Sequence, residues 1–398
     1  MERGSLLRSQ RPLPPVKRRL LTLSHSYVVA LNRRLARELH RASGESWEVV
    51  AAAPRFFHGD LRPIHLEHEP GRGYRLEGLT AVGSRSLHLF VYGPSLVPLL
   101  RERWDVVHAW EEPYVACGFQ VAALARRDAR LVFSTYQNLP KSLPPPFRQS
   151  ERFALSRAAG WIGWGHTVTA AQSVRPGYRD RPHVTVPTGV DVEAFQPDFT
   201  ARAARRGQLG WAGTTPVVGY LGRFVEEKGL GLLQRALSRV EVPWRALFVG
   251  GGPLENELRR FGERHPGRVA VVTGVPHEEV PSWLNAMDVL AAPSQTRPNW
   301  KEQFGRMLVE AAACGVPALA SDSGEIPYTV GEGGHIVGES DEQGWVTALT
   351  QLLSDEALRT GLGERARARA HAEFAWPVVA RRHLAFFDQL MDTPRPLP

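Results

Sequence analysis

Val217-Val218-Gly219-Tyr220-Leu221, leading into Gly222-Arg223-Phe224-Val225-Glu226-Glu227-Lys228-Gly229, decides the fold class. A short apolar run ends in a loop bounded by glycines, and residues 230–240 after it carry helical spacing. The segment reads as strand, loop and helix. Toward the C-terminus the unit repeats, with strands expected at 245–249, 269–272, 289–292 and 318–320 and helices at 254–264, about 302–315 and 344–353. Toward the N-terminus, strands are expected at 18–24, 49–53, 87–91, 105–109 and 131–134, and helices at 28–41 and 116–129. This alternation predicts mostly parallel sheets covered on both faces. At 398 residues the chain has room for two such domains. The boundary is expected across 184–191 and the polar, arginine-rich stretch that runs to about Gly213. Two consecutive α/β domains place a ligand site in the cleft between them, at the carboxyl ends of the strands.

Composition narrows the function classes. Hydrophobic residues make up 43% and charged residues 23%, as in an ordinary globular protein. No apolar run approaches the ~18 residues of a membrane span. The start, Met1-Glu2-Arg3-Gly4-Ser5, lacks the apolar core of a secretory signal, and residues 1–15 are expected to form a disordered basic tail. Cys117 and Cys314 give neither a disulfide framework nor a zinc spacing, which suits a reducing cytoplasm. A net charge of +8 favours anionic partners. The arginines are scattered and no nucleic-acid-binding signature occurs, so nucleic acid is not expected as a partner. There is no Asp-x-Asp, His-Glu-x-x-His or Gly-x-Ser-x-Gly, which argues against a metal-held diphosphate, a metalloprotease and an α/β-hydrolase.

Four segments carry candidate chemistry. In Glu302-Gln303-Phe304-Gly305-Arg306-Met307-Leu308-Val309-Glu310 two carboxylates stand eight positions apart on an expected helix, a rise of ~12 Å. Each carboxylate can accept hydrogen bonds from vicinal hydroxyls. The other reading is a salt ladder of Glu302, Arg306 and Glu310. Gly222–Gly229 brings Arg223 and Lys228 to a helix N-terminus, where glycine lets backbone approach an anion; a loop with ordinary surface charges is the alternative. Gly250-Gly251-Gly252-Pro253 and Ser321-Asp322-Ser323-Gly324-Glu325 are strand-to-helix loops that suit a phosphate, a base or a plain turn. His108 ends a strand and is expected to face the cleft, or else to be structural, with His25 and Tyr27 as lesser candidates.

In this order, these elements resemble the retaining glycosyltransferases of the GT-B fold, family four, also called glycosyl transferases group 1. The likeness is strongest over 216–337: Gly222-Arg223 with Lys228, Gly250–Pro253, Glu302-Gln303-Phe304-Gly305 with Glu310, and Ala313-Cys314-Gly315-Val316-Pro317. It implies two Rossmann-like domains facing a central cleft: an acceptor domain at 16–195, a donor domain at 196–375 and a C-terminal helix at 376–398 returning to the first domain. By the resemblance, Glu310 binds the ribose and Glu302 the donor sugar. Arg223 and Lys228 hold the diphosphate, and His108 sits near the transferred sugar. Gly222, Gly250, Gly251, Phe304 and Gly305 complete the donor site. The implied reaction is metal-independent transfer of a hexose from a nucleotide-diphosphate sugar, with configuration retained and no separate cofactor. The acceptor would be a glycan or lipid-linked molecule, in cell-surface polysaccharide or glycolipid synthesis. The enzyme would work in the cytoplasm, peripherally on the inner face of an anionic membrane. A non-catalytic nucleotide-sugar or phosphoglycan binder and a sugar phosphorylase or epimerase of the same architecture are the rival readings. Two departures stand out: Ser24-His25-Ser26-Tyr27 replaces the family's Gly-Gly loop, and Trp110 stands where many members carry a second histidine.

Overall fold

A computed structural model of the protein describes residues 17–44, 46–59, 63–211 and 213–393. The expected basic tail at 1–15 lies outside the described residues. The first domain is built on β1 (Arg18–Leu23), β2 (Trp47–Pro54), β3 (Arg75–Leu79), β4 (Val106–Ala109), β5 (Arg130–Thr135), β6 (Ala158–Gly163) and β7 (His183–Thr185). These form one parallel sheet in the order β7-β6-β5-β4-β1-β2-β3. The second domain uses β8 (Val217–Arg223), β9 (Arg245–Gly251), β10 (Val269–Thr273), β11 (Val289–Ala292), β12 (Ala318–Ser321) and β13 (Gly334–Val337), also parallel, in the order β10-β9-β8-β11-β12-β13. The fold is GT-B: two Rossmann-like domains facing a cleft.

Alternate side chains of each strand feed opposite faces, which is why the strands read as nearly continuous apolar runs. In β1, Leu21 and Leu23 join Val107, Val121 and Leu131 on one face. Leu20 joins Leu39, Val106, Phe387 and Leu390 on the other. The last two belong to the C-terminal helix Trp376–Asp392, which returns to cover the first domain. The chain therefore crosses between domains twice. The crossings touch at a parallel bridge between Val190 and Ala375, where the Val190 N–H donates to the Phe374 carbonyl at 2.8 Å.

Several local expectations are corrected. Residues 87–91 are not a strand of the sheet: Leu87 and Leu89 sit exposed in a turn, and β3 takes the edge beside β2. The helix expected from 28 begins only at Arg34, after two 3-10 turns, His25–Val28 and Ala30–Arg33. Ser24 caps the first of them by accepting the Ser26 N–H, and the buried Arg33 guanidinium donates to the Tyr27, Val28 and Glu67 carbonyls. Those bonds hold a turn where periodicity alone suggested helix. The arginine-rich stretch before Gly213 contains a helix, Phe199–Gln208, capped by Asp198. Its Arg202 and Arg206 both pair with Asp288 and its Arg205 with Glu279, so it is built into the second domain.

Candidate functional site

A cleft of about 1440 Å³ lies between the domains. The second domain contributes Pro276, His277, Asn285, Gln303, Arg306 and Glu310 to its lining. The first contributes His25, Ser26, Asn32, Trp110, Tyr136 and Trp164, and the crossings add 188–191 and Trp376.

The two-glutamate segment is not one helix. Gly305 adopts a φ of +80° as N-cap, and the helix spans only Arg306–Ala313. The left-handed conformation at Gly305 ends the loop and leaves Glu302 outside the helix. The two carboxylates consequently meet different surroundings, and the alternative salt ladder is absent. Glu302 is buried and paired with Lys228 at 2.5 Å, and it accepts from the Ser294 hydroxyl at 2.9 Å. The Lys228 ammonium also lies 4.9 Å from the centre of the Trp300 ring. Glu310 lines the cleft with no paired cation among the described residues: burial pushes its carboxyl up to about 7, and Arg306 opposes that shift only in part.

Arg223 ends β8 with its side chain 65% exposed and Glu227 3.7 Å away as its paired carboxylate among the described residues. Gly222 and Gly250 are register partners at the ends of β8 and β9. A Cβ on Gly250 would lie 1.8 Å from the Gly222 carbonyl oxygen, so this close approach requires glycine. Gly251 follows with nothing near its Cα side. Phe304 is buried in the second domain's core and contacts Phe374 at 5.9 Å between centroids. It supports the site from beneath, where the sequence reading had it contacting the donor. Of the expected site residues, Lys228 and Glu302 are brought together, Gly222 and Gly250 adjoin, and Glu310 faces the cleft.

His108 does not reach the cleft. It is fully buried, bonded to the Thr22 hydroxyl at 3.0 Å and the Ser134 hydroxyl at 2.9 Å. Its ring packs against His383 and Phe387 of the C-terminal helix. Burial holds its imidazole well below the usual range, so it stays neutral. His25, the lesser candidate, does line the cleft, and its Nδ1 lies 2.7 Å from the buried Glu111 carboxylate. The loop at 321–325 spends its polar groups on the protein: Ser321 donates to the Ser294 carbonyl, Asp322 accepts the Glu339 N–H, and Glu325 reaches the first domain. There the Glu325 carboxylate accepts the His166 and Thr167 N–H groups at 2.6 and 2.7 Å. Further cross-domain contacts run from Asn138 to the Glu302 carbonyl at 2.9 Å and from Gln303 to the Tyr136 carbonyl at 3.0 Å. Among the described residues no group of three or more His, Cys, Asp or Glu is placed to hold a metal ion.

Sequence reasoning missed an aromatic wall. Trp110, Tyr136 and Trp164 each follow directly on a strand, β4, β5 and β6, and all line the cleft. The signal was available: each stands one residue past the end of an apolar or small-residue run.

The family model for glycosyl transferases group 1 matches residues 201–369. The GDP-mannose-dependent alpha-(1-6)-phosphatidylinositol monomannoside mannosyltransferase of Mycolicibacterium smegmatis is 38% identical over 48% of this chain and 52% of its own length. The corresponding monoacylated-substrate mannosyltransferase of Corynebacterium glutamicum is 34% identical over 50% of this chain and 54% of its own. The D-inositol 3-phosphate glycosyltransferase of Xylanimonas cellulosilytica is 34% identical over 53% of this chain and 52% of its own. The chain thus spans about half the length of the curated relatives it matches. Among solved structures, sucrose-phosphate synthase of Thermosynechococcus elongatus superposes with a TM-score of 0.70 at 22% identity, covering 94% of this chain and 99% of that one. A glycosyltransferase of Rickettsia africae superposes with a TM-score of 0.75 at 14% identity, covering 95% of this chain and 100% of that one. These two likenesses carry the fold alone.

Proposed function

We propose, on the premise that residues 201–369 belong to the group 1 glycosyltransferases, that the protein transfers a hexose from a nucleotide-diphosphate sugar with retention of configuration and without a metal. The observation that carries this reading is the buried Lys228–Glu302 pair, taken with the close approach of Gly222 and Gly250 at the strand ends and with Glu310 lining the cleft between the domains. Glu310 accepts the ribose hydroxyls and Glu302 a hydroxyl of the sugar. Lys228 and the exposed Arg223 neutralise the departing diphosphate, an interaction that strengthens as charge develops. The bond from the anomeric carbon to the diphosphate oxygen breaks as the bond to the acceptor oxygen forms on the same face. The acceptor's proton passes to the leaving oxygen. GDP-mannose is the first donor to try, since two relatives are named for it.

The acceptor in this reading is a glycan or lipid-linked polyol, met at a membrane surface. No described helix is long and apolar enough to cross a membrane. The net charge of +8 supports peripheral attraction to anionic lipid. Two of the basic residues near the start do not: Arg18 is paired with Asp388, and Arg19 with Glu48 and Glu102. Co-sedimentation with anionic vesicles at low salt, lost at high salt, is the expected result; equal binding to neutral vesicles would remove the surface from the proposal.

A thermal-shift panel of nucleotide sugars tests the donor. It is followed by product analysis with the best of them, in EDTA, to establish linkage and configuration. Absence of any donor-dependent stabilisation, or activity restored only by Mg²⁺ or Mn²⁺, would overturn the reading.

A further inference from the structure

The first domain's side of the cleft carries an aromatic arrangement, packed on that domain's core, that the donor chemistry does not use. β4, β5 and β6 are neighbours in the sheet, in register through Ala109 with Phe133 and Gly163 with Thr135. Each ends in an aromatic residue: Trp110, Tyr136 and Trp164. The Trp110 and Trp164 rings lie 4.9 Å apart between centroids, and the Tyr136 and Trp164 rings 4.7 Å, nearly perpendicular. Trp376, at the second crossing, lines the same cleft. Tyr136, Trp164 and Trp376 remain partly exposed there, while other tryptophans such as Trp104, Trp161, Trp244 and Trp345 are fully buried. Large apolar surface left facing water in a cleft is unfavourable unless a ligand covers it.

We infer that Tyr136 and Trp164, backed by the buried Trp110, form the acceptor subsite and that its occupant is a ring polyol, a saccharide or cyclitol. The inference rests on the proposed transferase reading and names the second substrate's class. A sugar or cyclitol ring has a face of C–H groups and a rim of hydroxyls. The C–H face suits the negatively polarised faces of aromatic rings. The rim needs hydrogen-bonding groups around the wall, and His25 and Gln303 border the same space. Gln303 already bonds the Tyr136 carbonyl, so the second domain reaches the wall's edge when the cleft is formed as seen here. An acyl chain would leave those polar groups unmatched. A nucleotide belongs to the opposite side, where Glu310 lies.

The test uses the full chain and three phosphate-free probes, methyl α-D-mannoside, myo-inositol and the acyclic glycerol, observed by saturation-transfer NMR and titration. At least one ring probe is expected to bind with saturation concentrated on its C–H protons, and glycerol is expected to bind at least tenfold more weakly. Trp164→Ala should weaken the ring probe tenfold or more, and Trp164→Phe should restore most of that loss. Stabilisation by GDP or UDP should be the same in all three proteins, which also shows that the variants fold. The inference is overturned if no ring probe binds, if glycerol binds as well as the rings, or if Trp164→Ala changes nothing. It is equally overturned if Trp164→Ala weakens the nucleoside diphosphate as much as the ring probe. If the wild type binds a ring probe through Trp164 but no nucleotide, the donor reading falls and the subsite stands.

Discussion

Glu310 meets two opposed demands. Its burial stabilises the neutral acid, yet the proposed acceptance of both ribose hydroxyls calls for the carboxylate. Its folded carboxyl, pushed up to about 7, lies above the ordinary value of 4.5 that it regains on unfolding. Between those two pH values the folded protein keeps a proton that the unfolded chain has shed. Stability therefore falls as pH rises through this window, and the loss is complete above pH 7. Glu310→Gln should remove that penalty, on the order of 3 kcal/mol at most, and raise Tm at pH 8 but not at pH 4. It should also weaken donor binding by ~2–3 kcal/mol. In the wild type, donor affinity should rise with pH through 7, because the diol stabilises the ionised form. Calorimetry at pH 4, 6 and 8, with and without nucleotide, checks both signs; an unchanged Tm at pH 8 would mean the acid is not strained. Lys228 and Arg223 should separate as well. Lys228→Ala strands the buried Glu302 carboxylate, with Ser294 as its remaining partner, and should cost both Tm and kcat. Arg223→Ala removes an exposed cation and should lower kcat more than donor affinity without moving Tm. Steady-state kinetics beside melting curves distinguishes the two, and a pure KM effect for Arg223→Ala would confine it to ground-state binding. The placement of Lys228 in a loop after a strand and of Glu310 on a helix was legible in the sequence, because each follows from its local pattern. The separation of Glu302 from the helix was not, since it turns on one left-handed glycine whose neighbours all favour helix.

The elements were legible where strands are rich in branched residues and hidden where they are not. β4, β5, β8 and β11 stand out as apolar runs. β6 reads Ala-Ala-Gly-Trp-Ile-Gly, whose small residues carry little strand signal, and it is fixed instead by its place between β5 and β7. Gly160 is needed there, because a Cβ would lie 2.9 Å from Phe386 of the C-terminal helix. The same helix explains why His108 is structural. Strand side chains alternate, and His108 falls on the face that Trp376–Asp392 covers, a covering supplied from the far end of the chain. No local pattern around 105–109 reveals it. His108→Ala should therefore destabilise the first domain by ~1–3 kcal/mol, through a cavity and the lost bonds to Thr22 and Ser134. Donor affinity and kcat should stay within about threefold of wild type, the scatter expected for a site not in contact. Urea melts paired with transfer assays measure this; a large fall in kcat at unchanged stability would return His108 to the reaction.

At the scale of the whole molecule the question is what holds the two domains together before substrate arrives. The crossings at Val190 and Ala375 lie side by side and fix one edge of the cleft. Away from that edge the principal contact is a single carboxylate. Glu325 accepts two backbone N–H groups and the Thr167 hydroxyl at the start of the helix His166–Ser173, where unpaired N–H groups and the helix dipole favour an anion. Gly165 makes room for it, since a Cβ there would lie 2.4 Å from the carboxylate carbon. His166 stacks on Tyr328 at 4.9 Å beside this contact. Charge-assisted bonds of this kind are worth about 1.5–3 kcal/mol each when buried and less when partly exposed, as here. A loss of that size shifts an open–closed equilibrium by one to two orders of magnitude. Glu325→Ala and Gly165→Ala attack the contact from opposite domains and leave the site side chains and the Glu325 N–H bond to the Glu302 carbonyl in place. Both should enlarge the radius of gyration measured by small-angle scattering in the free protein. Both should also lower kcat more than nucleotide affinity, because the aromatic wall and Glu302 belong to different domains and must meet for transfer. Nucleotide sugar should close the variants at least in part, by binding the closed form better. Two variants with the wild-type scattering curve would show that the crossings and the Asn138 and Gln303 contacts hold the cleft closed unaided.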